Sequence, residues 1–162
     1  MPAGSLTRDR PIRKGRAALL IVDVQNGTFI AAFAQSKPEF HAAASARVIP
    51  NIRRLLDSFR RASLEVIYTM IENLTEDGRD RSLDYKLCNI GIEDLFVVGF
   101  LTDQCIDHVI KDGADCGYYM SCVHDACAAE TQARHEAALS GFKGYCRMLS
   151  TDAALRLVAQ AQ

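Results

Sequence analysis

Residues 94–112 read DLFVVGFLTDQCIDHVIKD. Leu95–Val98 is a continuous apolar run, the pattern of a strand buried on both faces of a parallel sheet. Gly99 ends the run. Thr102 and Asp103 suit a helix N-cap, and Ile106, Val109 and Ile110 then recur at helical spacing. Cys105 therefore falls on the first turn of a helix that follows a buried strand. The exposed amides and dipole of such a terminus lower a thiol's pKa, favour the nucleophilic thiolate and can hold a developing oxyanion. The ordinary alternative is a packed small hydrophobe, since free cysteines are among the most buried residues. A nucleophile also needs a base.

Working outward, Ala17–Val22 is a second continuous apolar run and ends at Asp23. In open parallel sheets ligands bind beyond the carboxyl ends of strands, and Asp23 and Cys105 both stand at such ends. Asp23 alone reads equally well as a turn or helix cap. Phe29 and Phe33 have helical spacing, with core packing as the default and a wall of an apolar pocket as the alternative. Residues 44–62 form an amphipathic helix with Val48, Ile52, Leu55, Leu56 and Phe59 on one face and arginines on the solvated one. Residues 64–71 are a strand. The charged stretch that follows places Glu72 and Arg79 at a strand end, where Arg79 and Arg81 suit paired hydrogen bonds to a carboxylate or, equally well, a charged surface loop with internal ion pairs. Residues 83–91 read as a helix with Gly91 at its C-cap, and 117–123 and 145–149 as strands. Residues 129–139 are a helix whose Arg134, His135 and Glu136 face solvent or neighbouring loops. His124 and His135 are each better read as packed or capping than as a catalytic base. Ser150-Thr151-Asp152 caps a last helix.

This alternation predicts an α/β fold: a doubly wound, largely parallel sheet with helices on both faces, in the three-layer Rossmann-like manner. Residues 1–16 read as an arm and 17–162 as a single domain. With 162 residues and 49% hydrophobic content the chain supports one real core. A net charge of −1 offers no electrostatic reason for nucleic acid or an anionic membrane. No apolar run approaches the roughly 20 residues that span a bilayer, and the polar N-terminus lacks a signal-like apolar centre. Six cysteines at irregular spacings form no CxxC pair, so no metal site is expected and a reducing, cytoplasmic setting is. No glycine pattern suits a nucleotide, and no cofactor is expected.

LLIVDVQNGTF at residues 19–29, followed by VVGFLTDQC at 97–105, resembles the isochorismatase-like cysteine hydrolases, among them nicotinamidases, N-carbamoylsarcosine amidases and ureidoacrylate amidohydrolases. The resemblance covers residues 17–155; TEDGRDRSLDYK and GYCRMLSTD look like the ureidoacrylate-type branch. It implies a triad of Asp, Lys and Cys in which Asp23 takes the thiol proton of Cys105. Cys105 attacks an amide or ureido carbonyl of a small molecule and forms a thioester that water cleaves. The family's oxyanion hole implies the amides of Leu101 and Cys105 as donors, with a cis Phe100–Leu101 peptide. Gln25, Phe29, Glu72, Arg79 and Gln104 are the implied substrate-binding residues, and a homo-oligomer is the implied assembly.

Two departures stand out. Gly27-Thr28-Phe29 replaces the relatives' Asp-Phe after the Gln-Asn pair. The strand that carries the family's lysine is missing, because DGRDRSLDYKL runs straight into NIGIEDLFVVG. Lys86 lies on the helix before the Cys105 strand and does not take over the role. Without that strand, residues 64–70 form an open apolar edge. An interruption of the chain between Asp80 and Cys88 is therefore expected, with one adjacent Cα pair far beyond about 3.8 Å. A continuous chain there favours a second reading, a catalytically impaired relative that binds a small molecule or serves as an oligomeric scaffold.

Overall fold

The computed structural model describes residues 10–26, 31–70 and 83–161. Phe29, Glu72, Arg79 and Arg81 lie outside the described residues, and so does residue 80–82 of the window in which an interruption is expected. The rest of that window lies on the unbroken helix Leu83–Asn89.

Five strands are described: β1 Ala17–Val22, β2 Glu65–Thr69, β3 Asp94–Phe100, β4 Tyr119–Ala128 and β5 Cys146–Leu149. All pair in parallel, in the order β2-β1-β3-β4-β5. The helices are α1 Ala31–Ser36, α2 Pro38–Ala43, α3 Ile49–Arg61, α4 Leu83–Asn89, α5 Cys105–Asp115, α6 Gln132–Gly141 and α7 Thr151–Ala159. Residues of β1 and β3 alternate between two cores, as the period of two requires. Leu19, Ile21, Phe96 and Val98 pack with α3 and α7, where Phe59 meets Phe96 edge-on at 5.3 Å. Leu20, Val22, Leu95 and Val97 pack with α4 and α5. The expected doubly wound, three-layer α/β architecture is the one observed.

Several boundaries differ from the sequence reading. The helix expected over 44–62 begins earlier, at Pro38, and passes through a π-helical segment, Ala44–Val48, before α3. Phe40 is thereby carried into the core, edge-on to Phe100 at 4.9 Å. Strand β3 does not stop at Gly99 but runs on to Phe100. Strand β4 extends through Ala128, because a bulge absorbs extra residues: Val97 pairs with Cys122, but Gly99 with Cys127. Thr102 and Asp103 are not caps; Gln104 precedes α5, without a capping side-chain bond. Ser150 does cap α7, accepting from the Ala153 amide at 3.2 Å.

With this strand order the chain reverses its direction of winding between β1 and β3, and a crevice opens beyond their carboxyl ends. Asp23 follows β1, and Cys105 follows β3.

Candidate active site

Glycine brings the two strand ends together. Gly99 is opposite Val22 in the register. A Cβ on Gly99 would stand 2.1 Å from the Val22 carbonyl oxygen, and its φ of 119° is itself unfavourable to L side chains. The close approach sets Asp23 beside the loop that leads to Cys105. Asp23 has a φ of 53°, a left-handed conformation that aspartate tolerates better than most residues. Its amide donates to the Thr69 carbonyl at 3.2 Å, and its Oδ1 accepts from Thr69 Oγ1 at 3.2 Å. Thr69 thus orients the carboxylate from the end of β2. Its role escapes a sequence reading because a threonine closing a strand is unremarkable.

Asp23 and Cys105 thus follow neighbouring strand ends, and the Asp23 carboxylate and the amides of Leu101 and Cys105 all act on the half-buried thiol. The Phe100–Leu101 peptide is cis. The Leu101 carbonyl turns the other way and accepts from the Gln104 and Ile106 amides at 3.0 and 3.1 Å.

One expectation is overturned here. Burial, then the hydrogen bond and charge of Asp23, push the thiol up to about 11, against the opposing pull of the two amides. The helix terminus does act as expected but is outweighed. Cys105 is therefore a thiol at rest, and no cation is among the largest influences on it. Cys88 and Cys116 are exposed, Cys122, Cys127 and Cys146 buried, and none of the six cysteines is in a disulfide.

Of the other anticipated residues, Gln25 is half-buried two positions past Asp23, and Gln104 is exposed at the mouth of α5. Lys86 is exposed on α4. His124 is half-buried. Of the two settings expected for His135, solvent or a neighbouring loop, it takes the loop: it is buried and packed, and its Nδ1 lies 2.8 Å from Thr102 Oγ1. Burial, then the charges of Arg47 and His124, lower its pKa to about 4, so the ring is neutral at ordinary pH. Arg134 binds Asp103 at 2.6 Å and Glu130 at 2.9 Å, and Glu130 also pairs with Lys37. Among the described residues no cluster of three or more His, Cys, Asp or Glu is placed to hold a metal ion.

The isochorismatase domain model matches residues 17–86 and 77–154. The chain belongs to the isochorismatase family. The two matched segments overlap at residues 77–86. An isochorismatase family protein of Bacillus subtilis (strain 168), YddQ, is 24% identical over 143 residues, 70% of this chain and 78% of that one. A cysteine hydrolase from Pseudomonas syringae pv. phaseolicola 1448A superposes with a TM-score of 0.72 at 19% identity, over 94% of this chain and 97% of its own. The pyrazinamidase of Pyrococcus horikoshii, solved in complex with zinc, gives 0.65 at 16% identity, over 83% and 99%. At these identities the structural likeness speaks for the shared fold. Among the described residues no helix is long and apolar enough to cross a membrane.

Proposed function

We propose that this isochorismatase-family protein is a cysteine hydrolase that cleaves the C–N bond of a small amide or ureido compound, with Cys105 as nucleophile and Asp23 as its base. The observation that carries this reading is the convergence of Asp23 and Cys105 at the neighbouring ends of β1 and β3, where Thr69 orients the carboxylate and Asp23 and two loop amides act on the thiol.

A thiol held at about 11 is ionised in roughly one molecule in ten thousand at pH 7. Attack is therefore coupled to proton transfer: Asp23 takes the thiol proton as sulfur bonds to the carbonyl carbon. The carbonyl oxygen, now anionic, accepts from the amides of Leu101 and Cys105. Asp23 returns the proton to the departing nitrogen, the C–N bond breaks, and ammonia or an amine leaves. The thioester is then hydrolysed by water, with Asp23 again taking a proton, and the Cys105 thiol is regenerated. Gln25 and Gln104 flank the crevice and would orient the substrate, together with Phe29, Glu72 and Arg79. A homo-oligomer in a reducing, cytoplasmic setting remains part of the proposal.

The test is a panel of small amides and ureido compounds assayed for released ammonia or amine, with denaturing mass spectrometry for an acyl adduct on the Cys105 peptide. Turnover that disappears in Cys105→Ser supports the reading. No release and no adduct across the panel would favour a small-molecule-binding or scaffold protein instead.

A further inference from the structure

Helix α6 is unusual in what it buries. Its one fully buried residue is His135, not an aliphatic side chain. Burying an imidazole among apolar groups is unfavourable unless it is hydrogen-bonded, and this one pairs through Nδ1 with Thr102 Oγ1 at 2.8 Å. Thr102 is itself fully buried and lies between the cis Phe100–Leu101 peptide and Cys105. Its amide donates to the Ala128 carbonyl at 3.0 Å, at the end of β4. The next residue, Asp103, is held by Arg134, the residue before His135. Two consecutive residues of α6 thus grip two consecutive residues of the loop whose flanking amides, Leu101 and Cys105, act on the Cys105 thiol.

We infer that His135 is a positioning residue: through Thr102 it holds the 101–104 loop so that the Leu101 amide stays aimed at the reacting centre. The inference rests on the proposed role of Cys105 and adds the support of its oxyanion donor. Thr102 Oγ1 has only the side-chain rotamers that its backbone allows, so fixing its hydroxyl fixes the adjacent peptide. The neutral ring offers one accepting and one donating nitrogen, and either pairing with the hydroxyl is competent. The charged and titratable groups that act on the ring are Arg47, His124 on β4, Glu136 on α6 and Asp103 in the loop. Sequence alone does not reveal the pairing, because 33 positions separate its members.

The experiment compares wild type with His135→Leu, Thr102→Val and His135→Gln, whose amide retains a polar partner for Thr102. Three quantities are read: the rate at which iodoacetamide labels the Cys105 peptide at pH 8, the labelling of Cys88 and Cys116 as internal controls, and the thermal unfolding transition. A displaced Leu101 amide no longer stabilises the thiolate, so Cys105 labelling should slow about tenfold in His135→Leu and Thr102→Val. It should stay within about threefold of wild type in His135→Gln, with the control thiols unchanged in all three. With a turned-over amide, kcat should fall in the first two variants and KM hold. Wild-type Cys105 labelling in a folded His135→Leu protein overturns the inference. Loss of cooperative unfolding in both His135→Leu and Thr102→Val also overturns it, since the pair is then a stability element. Absence of turnover by wild type counts against the proposed hydrolase and leaves the labelling comparison to decide the positioning role.

Discussion

Polar groups stand at both ends of strand β3, and the two ends differ in how their charge is balanced. At the amino end Asp94 is fully buried, with Arg10 at 2.9 Å and Arg147 at 3.7 Å. Its neighbour Glu93 meets Arg10, Arg13 and Arg16, and Arg10 also lies 3.9 Å over the Tyr119 ring. Cations surround the carboxylates, and the arm from Arg10 to Arg16 is tied to the sheet. Burial still raises the Asp94 pKa against the pull of Arg10, Arg147 and Arg13. At the carboxyl end a carboxylate acts on a thiol instead, and no cation is among the largest influences on that thiol. The first arrangement resists change because removing any partner strands a buried charge. The second keeps its proton on sulfur at rest, and in the proposed reaction that proton passes to Asp23 as the thiol attacks.

The comparison breaks most visibly if the carboxyl end tolerates substitution. Asp23→Asn should lower amide turnover by about a thousandfold or more, because nucleophile and base act as a unit. Steady-state kinetics against the substrate found in the panel measure this. Next in size is the contact that joins β1 to β3. Gly99→Ala should destabilise the protein by about 3 kcal/mol or more, since its Cβ must displace the Val22 backbone. Urea unfolding reads the loss, and an unchanged midpoint would mean that the strand ends can separate freely.

The amino end sharpens the contrast. Arg147→Met should cost about 2–4 kcal/mol of stability by leaving Asp94 with less compensation, while turnover per folded molecule stays near wild type. Adding Asp94→Asn should recover much of that loss, because the buried charge goes with its partner. A smaller effect concerns acid. The folded pKa of His135, about 4, lies below its unfolded value near 6.5. The unfolded chain therefore takes up the proton first as pH falls. The corresponding stability is complete above about pH 6.5 and is lost on descent through about 4, on the order of 1–3 kcal/mol. Unfolding curves across this range should show the loss in wild type and lack it in His135→Gln.

Much of the fold was legible because its signals are local. The runs at 17–22 and 94–98, the helix face of Ile52, Leu55 and Phe59, and the Ser150 cap each depend on neighbours in sequence. So does the arrival of Asp23 and Cys105 at strand ends. What escaped depends on distant partners. Thr102 has the chemistry of a cap, but His135 claims its hydroxyl across the fold. Gly99 resembles a strand terminator, yet it serves a close approach to Val22. The state of the Cys105 thiol could not be judged from its helix alone, because burial and Asp23 oppose the terminus and prevail.

The central claim, that Asp23 and Cys105 share one proton-transfer unit, is tested most directly by titrating the Cys105 thiol in protein carrying 13C-labelled cysteine. Wild type should ionise near 11. In Asp23→Asn the negative charge is gone, and the thiol should ionise at a pH lower by at least about one unit, a tenfold change in the ionisation constant. An Asp23→Asn protein that is folded and titrates where wild type does would contradict the account.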